Sequence, residues 1–397
     1  MHPGAASDPE AAAGRGLPAL TLSDPQPYEI AIPDEVLEDL GERIARVRWP
    51  AQPPGIGWEH GADFDYLREL CEYWRDGYDW RQIERALNGL SNWRWEGIHL
   101  IWERARLDPR GVGAPTRLPV LLIHGWPGAP IEFLDLVAAL VAAGHDVVVP
   151  SLPGFAFSDA PEPPLNVAGV AARLRALMSA LGYGRYAVQG GDWGSIIGAR
   201  MAFDDAEAVA ALHLNAPGVL PVPADLSQPP MSEAELAYAQ TARRWRLRGG
   251  FHLLAQGAAP DALAPGFHDS PAGLAAWLVD KYRRWSDCEG EVERRFSKDE
   301  VCDFLTIYWA TETIASSMRI YAAEARDRWR FAAGERIEVP AAVADFPAEI
   351  VRPPREWVER VLGDLRRWTE FDRGGHFAAF EEPELLGGDL IEFLAEL

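Results

Sequence analysis

Three short stretches of the 397-residue chain combine residue types and spacing that suit chemistry. The first is Gly190-Gly191-Asp192-Trp193-Gly194-Ser195, between a short apolar run and an apolar helical pattern. An aspartate is charged at neutral pH and can attack carbon without prior deprotonation. Glycines around it suit a sharp turn with no room for neighbouring side chains. A helix starting just beyond the turn would present free amides that favour a negative group there. An ordinary N-cap aspartate fits the same residues. The second stretch is His124-Gly125-Trp126-Pro127-Gly128, a turn whose Trp126–Pro127 bond is a candidate for the cis form. The third is Arg373-Gly374-Gly375-His376-Phe377, where His376 is a candidate base. A carboxylate partner for that histidine is sought between the two, and Glu349 and Asp345 both qualify. His2 and His60 read as surface residues; His99, His145 and His213 fall in or beside strand patterns and read as structural.

The elements around these stretches explain why they can meet. The continuous apolar run at 120–123 reads as a strand buried on both faces, 146–149 as another buried strand, 186–189 as a short strand and 209–214 as a strand. Helical patterns at 133–142, 167–181 and 196–203 separate them. Such alternation implies a parallel sheet with right-handed crossovers, with reactive groups at the carboxyl ends of its strands. On such an elbow, one oxyanion-binding amide comes from the residue after the nucleophile and one from an earlier strand-end turn. Here these are Trp193 and Trp126. The order nucleophile, acid, histidine along the chain also fits.

The remaining segments divide by character. Residues 1–24 read as a loose tail. Residues 25–110 are rich in tryptophan and helical pattern, with helices at 35–47, 64–76 and 80–86 and one strand at 95–103. Residues 111–216 form the first part of the strand–helix core. Residues 217–335 open with clustered prolines and continue as amphipathic helices, an insertion that could cover the sheet as a lid. Residues 336–397 return to the earlier rhythm, with strands at 340–346 and 365–371 and a helix at 383–395.

Composition narrows the function further. A net charge of −22 repels nucleic acid and anionic membrane surfaces. No apolar run reaches the ~18 residues of a membrane-spanning helix, and no secretory signal is recognisable, so a cytoplasmic protein without a membrane anchor is expected. Three widely spaced cysteines, Cys71, Cys288 and Cys302, read as buried reduced thiols. The histidines lack metal-ligand spacing, and the chemistry sketched above needs neither metal nor organic cofactor.

From about residue 25 on, the sequence resembles the microsomal-type epoxide hydrolases of the α/β-hydrolase superfamily. The resemblance rests on Ile32-Pro33 leading to Arg48-Trp49-Pro50, on His124–Gly128, on Gly190–Ser195 and on Asp269-Ser270-Pro271 with Gly273–Trp277. It continues through Ser316-Ser317-Met318-Arg319-Ile320-Tyr321, Phe346–Glu349 and Gly374–Pro383. It implies an α/β-hydrolase fold with a mostly parallel central sheet, a helical lid insertion and an N-terminal helical extension wrapping the core. It implies Asp192 as nucleophile, His376 as base, Glu349 rather than Asp345 as its charge partner, and Tyr321 as a lid acid. The family's second lid tyrosine is replaced here by His252, or by Phe251 if the alignment shifts by one residue; both are candidate substrate-binding residues. The implied reaction opens a small, apolar or aromatic epoxide to a vicinal diol through an ester on Asp192. A haloalkane dehalogenase using the same aspartate is the alternative. A non-catalytic binding protein and an esterase using Ser195 are weaker ones, and a homo-oligomer is left open.

Overall fold

The computed structural model describes residues 24–105, 117–222, 226 and 229–397. His2 and, apart from Asp24, the expected tail lie outside them. Among the described residues, nine strands form one sheet. They are β1 (Gln26–Pro27), β2 (Asn92–Trp95), β3 (Ile98–Glu103), β4 (Val120–Ile123), β5 (Val147–Pro150), β6 (Tyr186–Gly190), β7 (Val209–Leu214), β8 (Ile337–Asp345) and β9 (Leu362–Glu370). Their order is β1-β2-β3-β5-β4-β6-β7-β8-β9. Pairing is parallel from β5 through β9 and antiparallel from β1 to β5. Every residue of β4, β5, β6 and β7 is buried, which is why these strands are almost wholly apolar, with Gln189 and His213 the polar members.

The helices between the central strands bury one stripe each. Helix Val167–Ala180 buries Val167, Val170, Ala171, Leu174, Leu177 and Met178, the spacing of a single helical face. Its start is set by Asn166, whose side chain accepts from Gly169 N. Gly182, at φ 84°, takes a conformation that suits glycine just beyond the helix end. Truncating a residue such as Leu174 to alanine is expected to cost about 2–5 kcal/mol.

The N-terminal segment differs from expectation. The stretch 95–103 is not one strand: Glu96 and Gly97 both take positive φ, 44° and 82°, and fold it into a β2–β3 hairpin with Trp95 opposite Ile98. The extension is therefore not purely helical, because it adds three antiparallel strands to one edge of the sheet. Its helices Asp34–Ala45, Phe64–Asp76 and Trp80–Asn88 contact the helices inserted between β7 and β8. Trp74 Nε1 donates to Thr306 Oγ1 at 2.8 Å and Tyr78 OH to Asp303 Oδ1 at 2.6 Å. These bonds tie the N-terminal segment to helix Lys298–Ala310.

Candidate active site

Only Gly191 and Asp192 separate β6 from helix Trp193–Asp204, and Asp192 takes φ 47°, ψ −123°. That conformation is strained for a residue with a side chain and persists only where its surroundings enforce it. Here they do. A Cβ on Gly190 would overlap Gly194, and one on Gly194 would overlap the carbonyl of Ile123 in β4. The turn thus packs backbone on backbone and thrusts the aspartate out of the sheet. Asp192 occupies the N-cap position, yet its carboxylate makes no capping bond to the helix. It is aimed into the site instead.

Asp192 Oδ1 accepts from Trp126 N at 2.8 Å, and the Trp193 amide also stabilises the carboxylate. Trp126 is placed by the turn after β4, where Trp126–Pro127 is cis. Tyr282 OH donates to Pro127 O at 2.6 Å and Tyr308 OH to Gly128 O at 3.0 Å, so two tyrosines of the inserted helices pin the turn. Gly125 lies so close that a Cβ there would overlap Cβ and Oδ1 of Asp192.

His376 and Glu349 complete the row. His376 Nδ1 lies 2.9 and 3.0 Å from the two oxygens of Glu349, and Nε2 lies 3.6 Å from Asp192 Oδ2. The last distance is a charge contact, longer than a hydrogen bond. The His376 and Glu349 side chains are 2% and 5% exposed, whereas that of Asp192 is 21% exposed and so is the reachable member. Asp345 lies elsewhere: Arg352 Nε and one terminal nitrogen donate to its oxygens at 2.8 and 2.6 Å.

The charges reinforce one another. Burial would raise the Asp192 carboxyl pKa, but His376 and the two amides outweigh it and hold the group ionised. Burial would likewise depress His376, yet Glu349 and Asp192 lift it to about 10. The resting pair is therefore carboxylate and imidazolium at neutral pH.

Above the carboxylate stands an aromatic wall. Tyr321, from helix Ile314–Arg326, stands edge-on to Trp193 at 4.7 Å and to Trp126 at 5.9 Å. Burial and the Asp192 charge raise its phenol well above the ordinary value, so it stays protonated. His252 stacks on Trp126 at 5.8 Å and 11°, and approaches Tyr321 at 5.9 Å and Trp285 at 4.8 Å. Burial drives its pKa down to about 3, so it is a neutral imidazole. Phe251 points elsewhere: it is 39% exposed and packs on Trp277 and the Lys281 ammonium. Of those two candidates, His252 packs on Trp126, whose amide bonds the carboxylate.

Other expected positions fall into place as ordinary structure. Ser195 is fully buried, its Oγ donating to Gly190 O at 2.8 Å. His99, His145 and His213 are buried and engaged by Ser151, the Leu118 carbonyl and Asp389 respectively. The three cysteines are free and buried. Among the described residues, no cluster of three or more histidine, cysteine, aspartate or glutamate residues could hold a metal. No helix among them is long and apolar enough to cross a membrane.

Two features of the site escaped the sequence reading. One is the fastening of the His376 turn to the inserted helices. His376 N donates to Trp285 O at 2.8 Å and Gly374 N to Asp287 Oδ2 at 2.9 Å, while Arg295 bridges Asp287 and Glu382. The other is Glu132, a buried carboxyl in the wall of the cavity shared by Asp192 and His376. An acidic residue inside the apolar run Pro130–Phe133 was its only signal.

A strained aspartate on a strand–helix elbow, faced by two backbone amides and a carboxylate-bound histidine, places the chain among the α/β-hydrolases. Residues 119–298 match the model of the alpha/beta hydrolase fold, and residues 25–133 that of the epoxide hydrolase N terminus. Epoxide hydrolase 1 of Sus scrofa is 32% identical, over 94% of this chain and 89% of its own length. The crystal structure of juvenile hormone epoxide hydrolase from the silkworm Bombyx mori superposes with a TM-score of 0.80 at 30% identity, covering 94% of each chain. The Aspergillus niger epoxide hydrolase structure gives a TM-score of 0.80 at 26% identity, covering 94% of this chain and 97% of its own. The chain belongs to the epoxide hydrolase family.

Proposed function

We propose that this epoxide hydrolase opens a small, apolar or aromatic epoxide to a vicinal diol in two covalent steps. Asp192 displaces the ring oxygen from an sp³ carbon and forms an alkyl–enzyme ester. Tyr321 gives its proton to the departing alkoxide, an assistance typically worth ~10²–10⁴-fold. Esterification neutralises Asp192, removing one of the two carboxylates that hold the His376 pKa high. His376 then gives up its proton through solvent to the Tyr321 phenolate, and the neutral imidazole takes a proton from water, which attacks the Asp192 carbonyl carbon. Glu349 orients the ring, and the Trp126 and Trp193 amides hold the oxyanion, each such donor being worth ~10²–10³-fold. The observation that carries this reading is the accessible Asp192 carboxylate at φ 47°, bonded by Trp126 N and set 3.6 Å from a histidine that Glu349 holds.

The aromatic wall supports an apolar or aromatic substrate, with His252 as part of it. The helices between β7 and β8 act as the lid, and residues 25–110 act as a separate brace for that lid. The acidic surface and the three free thiols support a cytoplasmic setting. One observation favours a second reading: the indole N–H groups of Trp126 and Trp193 are buried without a partner among the described residues, as a halide-binding pair would be. Bromide release from 1-bromobutane, without diol from styrene oxide, would establish carbon–halogen cleavage instead.

The decisive experiment is a single turnover in H₂¹⁸O. Label is expected in the Asp192 carboxylate, with the first diol unlabelled. Labelled diol from an unlabelled enzyme would overturn the covalent route in favour of direct attack by water.

A further inference from the structure

The cavity between Asp192 and His376 has a third polar wall that the two steps above leave unused. Glu132 lies on the tight turn Pro130–Phe133, just after the turn that supplies the Trp126 amide. It is 8% exposed. The cavity it shares with Asp192, His376 and Asn215 measures about 20 Å³. A water molecule needs roughly 10–15 Å³ and two to four polar partners, so this space suits one water and no organic substrate.

The partners are in place. His376 Nε2 is buried and has no hydrogen-bond partner among the described residues. Asn215 is fixed by Gln189, whose Nε2 donates to its Oδ1 at 2.9 Å. The Glu132 carboxyl lies close against Gly128: a Cβ there would stand 3.0 and 3.2 Å from its two oxygens. Tyr282 and Tyr308 fix that same stretch of backbone.

We infer that Glu132 holds the hydrolytic water, gripping it together with His376 Nε2 against the carbonyl carbon of esterified Asp192. This rests on the covalent route proposed above. Burial pushes the Glu132 carboxyl up to about 8, with His376 pulling it down and Asp192 pushing it up. It therefore stays an uncharged acid at neutral pH and brings no second anion beside the nucleophile. In the step itself, one water O–H gives its proton to His376 Nε2, and the water oxygen bonds to the Asp192 carbonyl carbon. The second O–H donates to the Glu132 carbonyl oxygen and stays intact. The tetrahedral intermediate expels the diol oxygen, which takes the proton from His376; the Asp192 carboxylic acid so formed then passes its remaining proton to His376, and the carboxylate–imidazolium pair is restored. Glu132 gains and loses no bond.

The test separates the two half-reactions by rapid quench and intact-protein mass, with styrene oxide as probe. Glu132→Leu is expected to form the Asp192 ester within threefold of the wild-type rate and to hydrolyse it about 10–100-fold more slowly, the usual cost of one lost hydrogen bond in a buried site. Glu132→Gln keeps an acceptor in the same place and is expected to restore hydrolysis to within fivefold of wild type. A merely structural role predicts equal losses in both half-reactions and no such rescue. Should Glu132→Leu not fold, Glu132→Asp carries the test, because it withdraws the acceptor by one methylene and should slow hydrolysis alone. If wild type and His376→Gln never carry an ester, the covalent route falls. If the ester forms and Glu132→Leu hydrolyses it normally, or loses both half-reactions alike, the role of Glu132 falls while the covalent route stands.

Discussion

Replacing Glu349 by glutamine tests the orientation of the base. Both Glu349 oxygens lie within 3.0 Å of His376 Nδ1, so Nδ1–H donates to them and the Nε2 lone pair is left facing the ester. Glutamine has nearly the same shape but puts an N–H donor at one of those two positions. The imidazole then accepts at Nδ1, carries its proton on Nε2 and can no longer take one from water. Wrong-tautomer losses in a comparable carboxylate–histidine pair reach ~10⁴-fold, or about 5 kcal/mol at 1.36 kcal/mol per tenfold. Ester formation needs no base and should stay within tenfold of wild type. Stopped-flow tryptophan fluorescence should follow both phases, because Trp126 and Trp193 flank the reacting carboxylate. The expected outcome for Glu349→Gln is a normal ester-forming phase, hydrolysis slowed about 10³–10⁴-fold, and a persistent adduct by mass. Asp345→Asn is the control; Asp345 accepts from Arg352, whereas His376 Nδ1 is met by Glu349, so hydrolysis should stay within threefold of wild type. Hydrolysis within tenfold of wild type in Glu349→Gln, with no adduct, would refute the assignment of Glu349 as the orienting group.

Gly125→Ala puts a methyl into the space of Asp192 Cβ and Oδ1. It should lower ester formation at least ~100-fold and cost about 1–3 kcal/mol of stability by overpacking, read by single-turnover kinetics and denaturant melts. The raised pKa of His376 makes a stability prediction. A group held at about 10 in the folded chain against 6.5 ordinarily contributes stability that is whole below 6.5 and is lost as pH rises through 10. Between pH 7 and 10.5, wild type should therefore lose more thermal stability than His376→Gln. Parallel curves would show that the ion pair with Asp192 and Glu349 does not hold the imidazolium as described.

The parts of the fold that could be read from sequence are those whose pattern has one physical solution. Val120–Ile123 and Val209–Leu214 have the bounds their patterns imply, because strands covered on both faces are almost wholly apolar; the one polar residue there, His213, is buried against Asp389. Helix Phe64–Asp76 was equally legible, since Asp63 caps its start and Gly77 follows its end. The β2–β3 hairpin was hidden because Glu96-Gly97 is not among the common turn pairs, and the residues around it alternate as one strand would. Helix Trp193–Asp204 begins three residues before its apolar pattern, since the elbow itself supplies its first turn. In the site, Asp192 and His376 stood out through their glycine-bearing contexts. Glu349 and Asp345 were not separable from local sequence alone, because both belong to the same strand-end stretch and only their remote partners, His376 for Glu349 and Arg352 for Asp345, distinguish them. The choice between Phe251 and His252 turned on helix phase, which a one-residue shift reverses. Glu132 was invisible because its meaning lies in the walls opposite it, which come from remote parts of the chain.

The bonds from residues 285–287 to the His376 turn carry a practical lesson for anyone wishing to retrain the enzyme toward new substrates. Trp285 lends its ring to the pocket and its carbonyl to the backbone beneath the base, so scope and turnover share one anchor there. Libraries that diversify 285–287 should exchange rate for breadth. His252, on helix Phe251–Ala258, stacks on Trp126 and meets the Trp285 ring, and its helix holds none of the bonds that fasten the His376 turn. Variation there should redirect preference while leaving the engine intact.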